Sequence, residues 1–333
     1  MEDIEKVKFD QKANDYGFTY DDLDLEALND FIKAIKEIKK IPLVDMLDDM
    51  DILNRIGATA YSVKDQKLVM TNGAIAFFGK TYAVNTIYPS LWFDYQEKNQ
   101  SSERFSHRIN NKDIAYENNI YNFYRRVYLR LFENLPSPFY LMNGVNVGKT
   151  MVVEVVREAL ANAISNVELF SPLGLCVIKT SSSLSIRNAG GFLTGIEQAL
   201  KGGISIPRNP SIFNYFLALG VSDHGGYGIP SIFSKMKLLK MMEPELKEDY
   251  NRDATTLILN FTQIDEPLSS VEQKILTYLG EHLEGVSSSM VADYLSCSNE
   301  KARQLLVHLV ELGYVKDNNK SNKGKLYFLN DLR

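Results

Sequence analysis

Apolar residues along Met151–Asn166 recur at three- and four-residue steps, Val152, Val153, Val156, Leu160, Ala163 and Ile164, which is one face of an α-helix. The same period runs through 21–40, at Leu23, Leu25, Leu28, Phe31, Ile32, Ile35 and Ile38. Asp21, Asp22 and Asp24 enrich the start of that helix, where the dipole favours negative charge. A third helical pattern lies in 116–135, at Ile120, Phe123, Tyr124, Val127, Leu129 and Leu131. Arg125, Arg126 and Arg130 beside its aromatics read as the solvated basic face of a packed amphipathic helix. Shorter helices are predicted over 212–220, with Gly220 as C-cap, and from Pro230 onward. Thr71 is placed to cap a short buried helix. Aromatic and β-branched runs predict strands in NTIYPSLWFDYQ and ERFSHRIN, then two strands around a turn at Ser181–Ser183, and a closing strand at Thr255–Phe261.

The order of these elements predicts an α+β chain: a mixed helical and strand region over 1–150, then an α/β sandwich over 151–262 with helices on one face of a mixed sheet. Residues 263–268 read as a linker. Beyond it come three short helices, the first with Ser270 near its cap, and two strands around a polar, lysine-bearing turn. Helix, helix, helix and β-wing over 269–333 is a winged-helix order, whose third helix would read DNA. Lys301, Arg303 and Gln304 on that helix, with Lys316, Lys320, Lys323 and Lys325 in the wing, favour a surface facing the phosphates of duplex DNA. Glu300, Glu311 and Asp317 dilute it, and a protein-interaction module is the alternative.

The polar residues on the central helix change the picture of 151–262. Glu158 and Asn162 stand four apart, so both leave neighbouring turns on the same side. Asn188 sits at a strand exit before Gly190 and Gly191, and Gly226 and Gly228 form a second glycine turn. An acid and an amide on one helix followed by two glycine turns make a plausible nucleotide pocket, whereas the helix pair alone would read as an exposed polar stripe. The run Gly144–Thr150, GVNVGKT, is one residue short between its glycines for a phosphate-binding P-loop.

REALANA at Arg157–Ala163, LSIRNAGG at Leu184–Gly191, IPRNP at Ile206–Pro210 and GYGIP at Gly226–Pro230 occur in an order that resembles the GHKL ATPase superfamily. The closer likeness is to bacterial proteins described as RecG-like helicase-related or Schlafen/AlbA-like transcriptional regulators. The resemblance implies a GHKL-like ATP-binding domain using ATP and Mg²⁺. In it Asn162 would coordinate the metal, because hard cations prefer oxygen ligands, and Glu158 would orient or deprotonate the attacking water. Asn188 would accept from the adenine amino group, where the superfamily usually has an aspartate. Gly190 and Gly191 would let the backbone approach the base, and Gly226 and Gly228 would frame a lid over the triphosphate. Arg208 would contact phosphate or anchor a loop through a carboxylate. Ala189 replaces a usual proline. Asn166, Val167, Glu168 and Leu169 replace a usual His-Arg-Asp-Tyr stretch, and that change bears on turnover more than on fold. An AlbA-like domain usually precedes the segment that opens this chain, and the chain reads as a form without it.

With 333 residues there is room for two or three domains. The net charge of -5 excludes a globally basic nucleic-acid coat but leaves room for a local DNA-binding face. Cys176 and Cys297 lie far apart, which argues against a disulfide framework or structural zinc. The charged start lacks the apolar core of a signal peptide, and no apolar run approaches a membrane span, so a cytoplasmic protein without membrane contact is predicted. The combined expectation is an ATP-binding transcriptional regulator, at most a weak ATPase and not a helicase, acting as a homodimer on double-stranded DNA. Its alternative is a non-catalytic GHKL-like scaffold that binds no ATP.

Overall fold

The computed structural model describes residues 9–98, 105–133, 135–142, 145–222, 225–264, 268–282, 284–318 and 324–330. The chain forms two compact units, one of residues 1–135 with 153–262 and the other of residues 136–152 with 263–333. The boundary drawn at residue 150 therefore cuts across a single unit. The linker assigned to 263–268 lies partly outside the described residues.

The larger unit opens with α1 (Leu25–Lys39), capped by Asp24, whose carboxylate accepts from the Glu26 and Ala27 amides. Its residues Leu28, Phe31, Ile32 and Ile35 are buried, while Leu25 and Ile38, predicted on the same face, remain exposed. After α2 (Asp49–Arg55) and the hairpin β1 (Thr59–Ser62) and β2 (Lys67–Met70) comes α3 (Asn72–Phe78). Thr71 caps it through the Ala74 amide at 3.1 Å, and all seven helical residues are buried. Then follow α4 (Thr81–Ile87), β3 (Phe93–Lys98), β4 (Phe105–Asn110), α5 (Ile120–Glu133) and α6 (Gly148–Asn166). NTIYPSLWFDYQ is thus helix at its start and strand only at its end. Leu129, predicted to face inward on α5, is exposed.

The remaining elements are β5 (Leu175–Lys179), β6 (Ser183–Ala189), α7 (Ile196–Lys201), α8 (Pro210–Ala218), α9 (Gly228–Leu238), β7 (Glu245–Asp249) and β8 (Ala254–Asn260). They complete a mixed six-stranded sheet in the order β4-β3-β5-β6-β8-β7. Only β3 and β5 run parallel, and the connection between them contains α5 and α6. The inner strands bury alternate apolar residues, Phe93 and Tyr95 of β3, Leu175 and Val177 of β5, Leu184 and Ile186 of β6, and Leu257 and Leu259 of β8. Phe31 of α1, Phe77 and Phe78 of α3, Tyr121 of α5 and Tyr215 of α8 form a cluster of ring contacts, among them Phe31–Phe78 at 4.8 Å and Phe77–Tyr215 at 5.1 Å. Residues assigned on sequence to separate regions therefore share one core.

One long-range cap ties the chain start to α8. Asn209, the local cap position, makes no side-chain capping bond. Asp10 takes that role: its Oδ2 accepts from the Ser211 amide at 2.6 Å and the Ile212 amide at 3.3 Å. Burial pushes its carboxyl up to about 7 against the pull of those backbone donors.

The smaller unit contains α10 (Ser270–Glu281), α11 (Ser288–Leu295) and α12 (Asn299–Glu311), followed by β9 (Val315–Asp317) paired antiparallel with β10 (Tyr327–Leu329). Ser269, not Ser270, caps α10 in a reciprocal box with Glu272. Ile275, Leu276, Leu279, Val291, Ala302, Leu306 and Leu309 fill the core, whereas Val271, which helical spacing also predicts on the core face of α10, is exposed. Phe139 and Leu141 pack on it from the preceding chain. There Leu141–Met142 pairs with Val145–Asn146.

Candidate functional site

α6 carries a polar stripe at Glu158, Asn162 and Asn166, one residue per turn on one side. Asn162 Nδ2 donates to Glu158 Oε1 at 3.0 Å, and Asn166 Nδ2 donates to the Asn162 carbonyl at 2.9 Å. With its nitrogen committed, Asn162 keeps its side-chain oxygen for a ligand. The start of α9 lies directly on this pair. A Cβ added to Gly228 would overlap the Glu158 carboxylate and come within 2.7 Å of Asn162 Nδ2, so a larger residue there would displace this pair.

The first glycine turn follows β6, where Asn188 is buried opposite Thr255 of β8. Asn188 Nδ2 donates to the Ala189 and Gly190 carbonyls at 3.2 and 3.4 Å, leaving its oxygen as an acceptor. Thr255 Oγ1 donates to the Gly190 carbonyl at 3.0 Å. Asp253 holds the turn twice, accepting from the Gly190 amide through its carbonyl at 2.6 Å and from the Gly191 amide through Oδ1 at 2.9 Å. Glu248 accepts from the Phe192 amide at 2.6 Å.

Arg208 closes the arrangement from the other side. Nη2 donates to the Gly191 carbonyl at 2.9 Å, Nε to the Asn166 carbonyl at 3.2 Å, and Nη1 lies 3.4 Å from Glu168 Oε2. Of its two predicted roles, this geometry is that of a loop anchor. Gly190 has φ +92°, and a Cβ there would lie 2.8 Å from Arg208 Nε. The guanidinium and the turn are thus packed face to face.

Two adjoining hollows result. One, of about 60 Å³, is lined by Asn162, Asn166, Asn188 and Thr255 among apolar walls that include Ile186, Leu257 and Ile229. The other, of about 70 Å³, lies against Glu158, Asn162, Asn166, Gly226 and Gly228. Asn162 and Asn166 belong to both. The predicted residues Glu158, Asn162, Asn188, Gly191, Gly226 and Gly228 are therefore brought together, and Arg208 lines neither hollow. Asn166, Thr255, Asp253 and Glu248 were not singled out from the sequence. Asn166 continues the four-residue stripe of Glu158 and Asn162 and could have been found that way; the other three come from strands and a turn distant in sequence.

The donor set suits a small hard cation only in part. Among the described residues no group of three or more His, Cys, Asp or Glu could hold a metal. Magnesium commonly takes one or two protein oxygens and completes its shell with water and substrate phosphates, and the oxygens of Asn162 and Glu158 match that requirement. Each hollow has room for a few water molecules, so a nucleotide would need the segments around Phe192–Pro207 and Gly226–Gly228 to move outward.

The run Gly148–Thr150 forms the first turn of α6, and Asn146 Oδ1 accepts from the Gly148 amide at 3.1 Å. It builds no loop around an anion, and Gly144 lies outside the described residues. In the smaller unit Lys301, Arg303 and Gln304 are exposed on α12. Arg303 and Gln304 both reach Glu300 Oε1 at 3.4 Å. Lys316 is exposed on β9, and Lys325 pairs with Asp317 at 2.8 Å, which raises its pKa. Lys320, Lys323 and His224 lie outside the described residues.

Residues 180–259 match the family described as "Putative ATP-dependent DNA helicase recG C-terminal", an HATPase-type family. Residues 2–94 match a domain of unknown function, DUF8451. No curated protein matches the chain. Among solved structures the chain is similar to the DIP2311 protein of Corynebacterium diphtheriae, with a TM-score of 0.57 and 16% identity. The likeness covers 97% of this chain and 55% of that one, so this chain spans about half the length of its structural relative, and at this identity the likeness concerns the fold alone. No helix among the described residues is long and apolar enough to cross a membrane.

Proposed function

We propose that the chain binds ATP with Mg²⁺ between α6 and the two glycine turns, and that nucleotide occupancy regulates DNA binding by a winged-helix unit at 269–333. The observation that carries the first half is the convergence of Asn162 and Asn188. Each amide nitrogen is spent inside the protein, and each oxygen is left for a ligand. An acceptor at Asn188 suits the amino group of adenine, and an oxygen at Asn162 suits a phosphate-bridging cation. Bound magnesium would draw charge from the phosphates. Glu158, one turn away, would orient a water and accept its proton. The HATPase-type match over β6 to β8 supports the same reading.

For the second half, Lys301, Arg303 and Gln304 would face the major groove, and Lys316, Lys320, Lys323 and Lys325 would meet backbone phosphates. A homodimer would present two such helices. Binding ATP would shift the population of lid positions around Gly226–Gly228 and so change the DNA-bound state.

The test is titration calorimetry of ATP with Mg²⁺ against the full chain and Asn162→Ala. Saturable binding lost in the variant is expected. Absence of binding to the native chain would overturn the reading and favour a second one, a scaffold that no longer takes nucleotide. What supports that alternative is the smallness of the two hollows and the packing of Gly228 onto Glu158.

A further inference from the structure

Behind the first glycine turn lies a separate cavity of about 660 Å³, a volume within the range of small-molecule sites. One wall is a group of three rings: Phe9 and Phe170 stand 5.1 Å apart, Tyr88 and Phe170 5.2 Å, and Phe9 and Tyr88 6.0 Å. Phe170 is 47% exposed although it lies against two other rings. Such a ring on a cavity wall offers a flat apolar face to a ligand.

The polar groups of this cavity are unevenly committed. Tyr88 is fully buried and lines the cavity, yet its hydroxyl has no hydrogen-bond partner among the described residues. Burial and the neighbouring Asp10 carboxylate raise the Tyr88 pKa far above the ordinary phenol value, so the group remains a donor. Glu168 is neutralised by Arg208, and the Asp253 carboxylate accepts from Gly191. Lys12 lines the same cavity with no ion-pair or hydrogen-bond partner for its side chain among the described residues. The Phe170 ring face and the Lys12 ammonium together select a planar aromatic ligand that carries a negative charge.

We infer that this cavity is an effector site for a planar aromatic anion, and that its occupant fixes the glycine turn from behind. Three of its lining residues hold that turn. Arg208 donates to the Gly191 carbonyl, Asp253 accepts from the Gly190 and Gly191 amides, and the Glu168 amide donates to the Ala189 carbonyl at 2.9 Å. A ligand against Glu168, Arg208 and Asp253 touches the supports of the turn without entering the hollows at Asn162. Anion binding in this cavity does not depend on nucleotide binding at Asn162. The effect on the turn would tune nucleotide binding only where the proposed ATP site holds.

The experiment uses the full chain and anilinonaphthalene sulfonate, an aromatic anion with a planar naphthalene face whose fluorescence rises in apolar surroundings. Saturable one-site binding is expected. Phe170→Ala and Lys12→Glu, both at partly or fully exposed side chains, should each weaken it by about tenfold or more. Asn162→Ala should leave it unchanged, which separates this site from the nucleotide hollows. Hydrogen exchange of the Gly190 and Gly191 amides should slow when the probe is bound, a readout that requires no ATP. Binding that survives both Phe170→Ala and Lys12→Glu, or is lost in Asn162→Ala, would overturn the assignment. The absence of saturable binding to the native chain would do the same, and unchanged exchange at the turn would refute its link to the turn. Failure of ATP to bind in the separate calorimetry would remove the nucleotide reading and leave these outcomes as informative as before.

Discussion

Asp10 offers the most quantitative test of how the larger unit is held together. It is 2% exposed, and its carboxyl titrates at about 7 in the folded chain against 3.8 when free of the fold. A raised acid pKa means that the folded state binds the proton more tightly than the unfolded state, so stability falls as pH rises between those two values. Each pH unit between them costs about 1.4 kcal/mol, so the whole penalty is about 4 kcal/mol, and roughly 2 to 3 kcal/mol of it develops between about pH 5 and pH 8. Asp10→Asn keeps an acceptor for the Ser211 and Ile212 amides but cannot ionise. Its amide would occupy the place of Oδ1, which has no partner, and would add a cost that does not depend on pH. The informative quantity is therefore the change in the stability difference with pH. Urea unfolding of both proteins across this interval should show the variant gaining on the native chain by roughly 2 to 3 kcal/mol as pH rises. Parallel stability curves would refute the reasoning, since they would mean that Asp10 is not buried as a titrating cap.

Gly228→Ala should lower stability by about 1 to 3 kcal/mol and abolish any thermal shift with ATP and Mg²⁺, because the added methyl meets Glu158 and Asn162; differential scanning fluorimetry reads both effects. Glu272 is pushed up by burial but held lower still by the Ser269 hydroxyl and amide and by His308, so its folded pKa lies below the ordinary value. Its stabilisation is present above about pH 4.5 and is lost in acid. Glu272→Gln should therefore cost about 1 to 2 kcal/mol at neutral pH and less as pH falls through the carboxylate range, measured by chemical unfolding. For DNA, Lys316→Ala should reduce the salt slope of binding by about one unit, whereas Arg303→Ala should chiefly reduce discrimination between sequences; mobility shifts at several salt concentrations separate the two.

Local periodicity made most elements legible, because one face of each is buried. The helical steps of α1, α5 and α6 and the alternation of β6 and β8 correspond to real core faces. Errors arose where the pattern ran past the packed turns, as at Leu25 and Ile38 at the ends of α1, and at Leu129, which lies between buried Val127 and Leu131 but on the opposite face of α5. The grouping of the candidate residues was readable where they follow a local rule: Glu158 and Asn162 are neighbours on a helix, and the glycine turns interrupt regular segments. Asp10 was not readable as a cap, because its partners lie about two hundred residues away. Nor could spacing reveal that Arg208 is committed to the Gly191 and Asn166 carbonyls, since arginine suits phosphate and carbonyl oxygens alike.

The larger unit also limits how the segment matched to the HATPase-type family can be separated. The HATPase-type match spans 180–259, from just before β6 to near the end of β8, yet the sheet continues through β5 into β3 and β4 outside that range. An isolated 180–259 segment would lack α6, and with it Glu158 and Asn162. It would also lose Phe31, Phe77, Phe78 and Tyr121 from around Tyr215 and Phe216, exposing rings that are now buried. Each large aromatic side chain that loses its cover gives up about 1.5 to 3 kcal/mol of burial. Several such losses reach the whole stability of an ordinary domain, about 5 to 15 kcal/mol. The residues before 135 therefore belong to the fold that presents the site, and a change in the region matched by DUF8451 can reach Asn188 or Gly191 through packing alone.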